Sequence, residues 1–285
     1  MKPDVRFMKL SKPFWAYVRT ISEECGYTTR SAETVKIPDI SEISTALTKR
    51  GLDTSDVLKQ ADVPTQLGEI LLNYFTFRAT VLNEYVEPRL MDAAQAKQLY
   101  NRIRRQHKSI KVSIPWNKQK GVKKVPAYLT AIVAILVRAN APDFSCDLDP
   151  RSLTTITENG KPLRTLARRV DGAFPGTVNP VAVWEIKEYY YTTTFGSRVA
   201  DGVYESLLDG MELEELREHE DVDVKHYLII DAHYTWWKCG KSYLCRVMDM
   251  LHMGYVDEVL FGREVVERLP AMVKEWEKIL KEQQQ

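Results

Sequence analysis

Over the first 90 positions, hydrophobic residues recur at helical spacing. Phe14 to Glu24 is amphipathic, and Gly26 supplies a stop. Asp39 or Ser41 can cap a helix running to Arg50, which Gly51 ends, and Asp53 or Thr54 can cap a short helix through Lys59. Helix, glycine turn, helix is the outline of a helix-turn-helix unit, a form that either touches DNA or packs on a core. Gln66 to Val86 carries a long apolar stripe through Leu67, Ile70, Leu71, Tyr74, Phe75, Val81 and Leu82, and Pro88 closes it. Ala93 to Gln106 forms a further, basic helix. Ser109 to Lys124, with Pro115, Trp116 and Gly121, is expected to be a loop. Ala127 to Ala139 is apolar nearly all round, which predicts a buried helix.

Beyond Asp149-Pro150 the texture changes to strands. Leu153 to Ile156 leads into Asn159-Gly160, a hairpin turn signal, and Leu163 to Asp171 returns. After a loop over 174–180, Val181 to Tyr190 is a strand, Ser197 to Glu218 a helix and Val224 to Asp231 a strand. Lys241 to Met253 is a helix ending at Gly254, Val256 to Phe261 a strand, and Arg263 opens a C-terminal helix. The fold class is α/β of the α+β type, a mixed central β-sheet flanked by helices behind a helical N-terminal region. Three segments are expected: a helical region over 1–90, a basic helix and loop over 91–125, and the mixed domain over 126–285.

The 285 residues carry 40 Lys+Arg against 39 Asp+Glu, and 44% are apolar, so the chain has ample surface to bury and is not disordered as a whole. No apolar run approaches the roughly 20 residues of a membrane span. The first residues lack a signal peptide's basic-then-apolar order, and four cysteines in this length make no disulfide scaffold. A reduced, cytoplasmic protein without membrane contact is expected.

The balanced total hides an asymmetry. Ala93 to Pro142 contains no Asp or Glu, yet holds Arg102, Arg104, Arg105, Lys108, Lys111, Lys118, Lys120, Lys123 and Lys124. A basic strip on a near-neutral chain predicts a localised polyanion site. Glu205 to Asp223 reverses the sign and is expected to face solvent, away from that partner. Thr193, Ser197 and Arg198, where the 181–190 strand turns into the next helix, could hold phosphate oxygens or simply cap. Tyr234, Trp236, Trp237 and Lys238 interleave aromatic and basic residues, a pattern that serves base stacking or core packing.

The chemistry centres on Asp171 and on Glu185-Ile186-Lys187. Along the strand, Val181, Val183, Glu185 and Lys187 share one face, and Ala182, Trp184 and Ile186 the other. A loop centred near Val178 sets Asp171 opposite Glu185, and directly opposed side chains lie about 4.5–5.5 Å apart. Carboxylates that close repel unless a cation sits between them, and hard oxygen ligands suit Mg²⁺, with the Ile186 carbonyl as a further oxygen. Lys187 could hold a water or neutralise an oxyanion. Arg168 and Arg169 alternate just before Asp171, so one of them points to its side.

This arrangement resembles the PD-(D/E)xK nuclease superfamily over roughly residues 125–262, with Asp171 as the first acid, Glu185 the second and Lys187 the lysine. Val170 stands where that pattern has proline. The resemblance implies a restriction-endonuclease-like core, Mg²⁺ at the paired acids, and hydrolysis of double-stranded DNA to 5′-phosphate and 3′-hydroxyl ends. A twofold homodimer is the simplest way to cut both strands of a symmetric site. Two alternatives remain: a non-catalytic DNA-binding regulator using the N-terminal helix pair and basic strip, and a repair or junction nuclease of the same fold.

Overall fold

A computed structural model describes residues 1–29, 34–59, 63–118, 124–191 and 197–283. Helix α1 spans Lys12–Cys25 and α2 Ile40–Lys49; the short strands β1 (Thr28–Thr29) and β2 (Thr34–Val35) pair between them. Asp39 and Glu42 cap α2 reciprocally, each side chain accepting the other residue's N–H. The expected helix over 53–59 does not form. One turn closes as Val57 and Leu58 donate to the Thr54 carbonyl, and Leu58 then bridges to Pro64. No helix-turn-helix pair is therefore present among the described residues.

The long stripe folds as α3 (Gln66–Thr80), continued by a π-helical turn over Val81–Val86. Its inner face joins Phe14, Trp15, Val18, Ile21, Ile43 and Leu47 in an N-terminal core around Tyr74 and Phe75. Helix α4 covers Ala93–Gln106. Where a loop was expected, β3 (Trp116–Lys118) and β4 (Lys124–Pro126) form a two-stranded ribbon, with Trp116 opposite Pro126. Strand pairing satisfies backbone groups that an irregular loop would leave to water. Helix α5 (Tyr128–Asn140) is buried along almost its whole length, as its composition requires.

Strands β5 (Thr155–Glu158) and β6 (Lys161–Thr165) make a separate hairpin around Asn159-Gly160, both at positive φ. The main sheet holds β7 (Gly172–Phe174), β8 (Ala182–Glu188), β9 (Lys225–Asp231) and β10 (Glu258–Phe261) in the order β10-β9-β8-β7. It is mixed: β7 runs antiparallel to β8, while β8, β9 and β10 are parallel. Helices α6 (Ser197–Glu220), α7 (Lys241–Met253) and α8 (Glu264–Gln283) complete the chain. The fold is thus mixed α/β, with helices on both faces of a small sheet. Ala182, Trp184, Tyr227 and Ile229 pack on α4, α5 and α8. Leu228, Ile230 and Val259 face α7 and the end of α3, and Val183 meets Leu213 and Leu216 of α6. Burial on both faces explains the near-continuous apolar run of β9 and the apolar residues on both faces of β8.

Trp236 and Trp237 lie in this core, so only Tyr234 of that aromatic group is open to solvent. No helix is long and apolar enough to cross a membrane among the described residues.

A buried ionic network ties the N-terminal core to the sheet layer. Arg78 of α3 donates to both carboxylate oxygens of Asp249 on α7 at 2.9 and 3.2 Å, and to the Ser22 hydroxyl at 3.0 Å; Tyr74 donates to Asp249 at 2.6 Å. Removing one partner leaves a desolvated charge behind. Arg78→Ala is expected to cost about 3–5 kcal/mol in urea unfolding, against under about 1 kcal/mol for Arg50→Ala on the surface. Equal losses from the two substitutions would contradict this account of the junction.

Candidate active site

The β7–β8 pairing sets the site. Gly172 lies opposite Trp184, Ala173 opposite Val183 and Phe174 opposite Ala182, the register the sequence predicts, and the ladder ends there, one residue short of the expected Asp171–Glu185 pair. The expected strand over 163–171 is not continuous, however: β6 stops at Thr165 and β7 starts at Gly172. The intervening segment is drawn onto α6 instead, the Ala167 N–H reaching the Glu212 carboxylate at 3.1 Å and Arg164 reaching Glu215 at 3.0 Å. Gly172 is required because the Trp184 indole lies where a Cβ would go, 2.0 Å from its Cε2.

Asp171 therefore sits at the end of the ladder. Its N–H bonds to the Trp184 carbonyl at 3.1 Å, and its Oδ2 accepts the Ile186 N–H at 2.8 Å. Within an antiparallel pair a residue turns N–H and C=O to the same neighbour. The Ile186 carbonyl is thus turned to the same edge, where β7 has ended. Asp171 opens onto a cleft of about 1360 Å³ that Arg168, Ile186 and Glu188 also line. Protein surrounds its other sides; loss of hydration first, and the Glu185 charge second, push its carboxyl up to about 6.

Glu185 is fully buried on the α6 side of β8. Its Oε2 accepts from Lys187 Nζ at 2.6 Å and from Arg168 at 3.2 Å, while Oε1 lies 3.0 Å from the same guanidinium without a hydrogen bond. Burial works to raise its pKa, but Lys187 and Arg168 together overcome this and hold it below the ordinary glutamate value. Burial likewise opposes charge on Lys187, and Glu185, then Asp171, outweigh it, so the ammonium is held above the ordinary lysine value. Lys187 is consequently a cationic donor at neutral pH and not a base.

Helix α6 adds two acids that sequence reasoning had turned toward solvent. Glu205 accepts from Lys187 at 3.0 Å and from Arg168 at 3.3 Å. Asp209, fully buried, accepts from Arg168 at 2.6 Å and leaves Oδ1 without a partner. Burial first and Glu185 second push its carboxyl up to about 7. Close approach of α6 depends on Gly202, where a Cβ would come 2.7 Å from the Tyr189 hydroxyl and 3.2 Å from Lys187 Cδ. The signal was in the sequence: Gly202, Ser206, Asp209, Leu213 and Leu216 recur at helical spacing, an inward stripe carrying one acid.

Among the described residues the ion pairs of Glu185, Glu205 and Asp209 are with Arg168 and Lys187, so with Asp171 four acids stand against two cations, which leaves two negative charges when all are ionised. Among the described residues no three His, Cys, Asp or Glu side chains converge as metal ligands. Mg²⁺ needs only one or two carboxylates beside water, so the residual charge, the orphaned Glu185 and Asp209 oxygens and the Asp171–Ile186 edge fit a divalent cation.

The basic strip is assembled in part. Arg104, Arg105, Lys108 and Lys111 line a groove of about 1090 Å³, and Arg102 is exposed on α4 outside it. Lys120, Lys123 and Thr193 lie outside the described residues, as do the side chains of Lys118, Lys124, Ser197 and Arg198.

Fold and site together define a mixed α/β protein with a charged cluster at the edge of its central sheet. The chain belongs to the family described as Domain of unknown function (DUF7687), whose model matches residues 91–276; a second model, Domain of unknown function (DUF7690), matches 1–85. No curated protein and no solved structure matches it.

The raised carboxyls give a signed pH dependence. Asp209 titrates near 7 in the fold against an ordinary 3.8, so the folded chain binds its proton more tightly than the unfolded chain does. That contribution is complete below about pH 4 and is lost as pH rises through about 7. Relative to Asp209→Asn, the wild type should lose thermal stability steadily between pH 5 and pH 8. Parallel melting curves across that range would refute the assignment.

Proposed function

We propose that the chain is a Mg²⁺-dependent DNA endonuclease with a core of the PD-(D/E)xK, restriction-endonuclease type. The observation that supports this is the Asp171 carboxylate held on the Ile186 N–H where β7 ends, with the Glu185–Lys187 ion pair on the residues either side of Ile186. Asp171, Glu185 and the Ile186 carbonyl would hold the cation, which supplies Lewis-acid charge to the scissile phosphate and makes water a stronger nucleophile. Lys187, held protonated, orients water and offsets charge that grows on the phosphate oxygens. Glu205 and Arg168 fix the lysine and Glu185 between them.

Arg102, Arg104, Arg105, Lys108 and Lys111 form no ion pair with described residues, leaving them for phosphates. Sequence-specific cutting of double-stranded DNA by a twofold dimer is the form of the activity that best suits a compact nuclease domain with its own DNA-tracking surface. The competing DNA-binding regulator keeps the basic strip but not the helix pair, because residues 53–59 supply no second helix.

Plasmid and phage DNA incubated with the protein should be cut with Mg²⁺ and remain intact with EDTA. Asp171→Ala and Lys187→Ala should each lower cutting by roughly 10²–10³-fold or more, while DNA affinity in EDTA is retained. Unchanged cutting in either variant would remove that residue from the mechanism.

A further inference from the structure

The cleft onto which Asp171 opens has walls that hydrolysis alone does not require. Trp116 on β3 is 56% exposed and Leu153 42% exposed, and both line it. An indole held open to water forgoes its burial, and in a concave site this marks a surface built for a partner. Tyr189, Tyr190 and Tyr191, at the end of β8, line it too. Tyr190 is fixed by a 2.6 Å bond to Asp231, a buried carboxylate that also accepts the Met91 and Ala232 N–H groups at 2.7 and 2.8 Å. Arg151, Arg168 and Arg169 add guanidinium groups to the lining. Its acids beside Asp171 are already engaged, Asp149 with Arg151 and Glu188 with the Thr130 N–H that opens α5.

Aromatic faces beside guanidinium groups match an unpaired nucleotide, whose base stacks while its phosphate meets the cations, whatever the base. The chain also enters this wall directly from the basic groove: Ser113 lines the groove, and Pro115 and Trp116 line the cleft.

We propose that the cleft binds an unpaired segment of a nucleic-acid strand, with Trp116 as the stacking platform and Arg169 on its phosphates. The strand then reaches Asp171 either already single or opened locally from a duplex. That it is cut there rests on the nuclease activity proposed above; that it binds does not.

Fluorescence anisotropy in EDTA separates the two. Labelled single-stranded DNA, the RNA of the same sequence and the matching DNA duplex are titrated with wild type, Trp116→Ala and Trp116→Phe, with melting temperatures confirming that each variant folds. Trp116→Ala should weaken binding of at least one single strand roughly 5- to 150-fold, the effect of one lost base–aromatic stack, with Trp116→Phe close to wild type and duplex affinity unchanged. The DNA and RNA arms show which sugar the cleft accepts. Unchanged affinity for both single strands, or an equal loss on the duplex, would overturn the proposal. Loss of single-strand binding in a chain that cuts no DNA would leave it standing and refute only the nuclease activity.

Discussion

Glu185 lies at zero exposure in the middle of the molecule, and the rest of the site is arranged to make that tolerable. An isolated buried carboxylate costs several kcal/mol, more than a marginally stable domain can spare. Lys187 approaches from its own strand, Arg168 from the segment before β7, and both are held in turn by Glu205 and Asp209 of α6. Each element therefore supplies charge that another must match. The bend at 166–171, the glycine at 202 and the seating of α6 on β8 all follow from bringing these groups within hydrogen-bond reach. The match is incomplete, since two acids are pushed toward neutrality and two carboxylate oxygens have no donor. A site poised in this way takes up protons as pH falls, and under the proposed function a divalent cation would supply the missing charge above that range.

Much of the framework was legible in the residues. Two-sided burial of β8 followed from apolar residues on both of its faces, and the β7–β8 register from Gly172 onward followed from the position of the hairpin loop. Legibility failed where tertiary contacts outweighed local preference. Residues 163–171 read as a continuous strand because Leu163, Leu166 and Val170 are apolar, yet Glu212 and Glu215 capture that backbone and its arginine. The acidic run on α6 read as a solvated face because charge was counted without helical phase, and in phase Asp209 falls among Gly202, Ser206 and Leu213. The short helix at 53–59 was lost to a bridge with Pro64, which capping preferences cannot anticipate.

Position links the two charged surfaces. The groove over Arg104, Arg105, Lys108 and Lys111 and the cleft are neighbours along the chain, Ser113 lining the first and Pro115 and Trp116 the second. Asp171 and the Ile186 edge lie in that same cleft, while Glu185 and Lys187 sit behind them against α6. Under the proposed function, a polyanion held by the first surface would lie near the acids of the second, and salt should weaken that first contact most.

The central claim is that the Asp171–Glu185 edge takes a divalent cation, and binding of Mn²⁺ followed by electron paramagnetic resonance at pH 8 tests it without any substrate. The account predicts saturable binding that Mg²⁺ displaces, that weakens as pH falls to 5, and that Asp171→Asn or Glu185→Gln abolishes in a chain that still melts cooperatively. Binding that persists unchanged in both variants, or no binding at millimolar Mn²⁺, would contradict it.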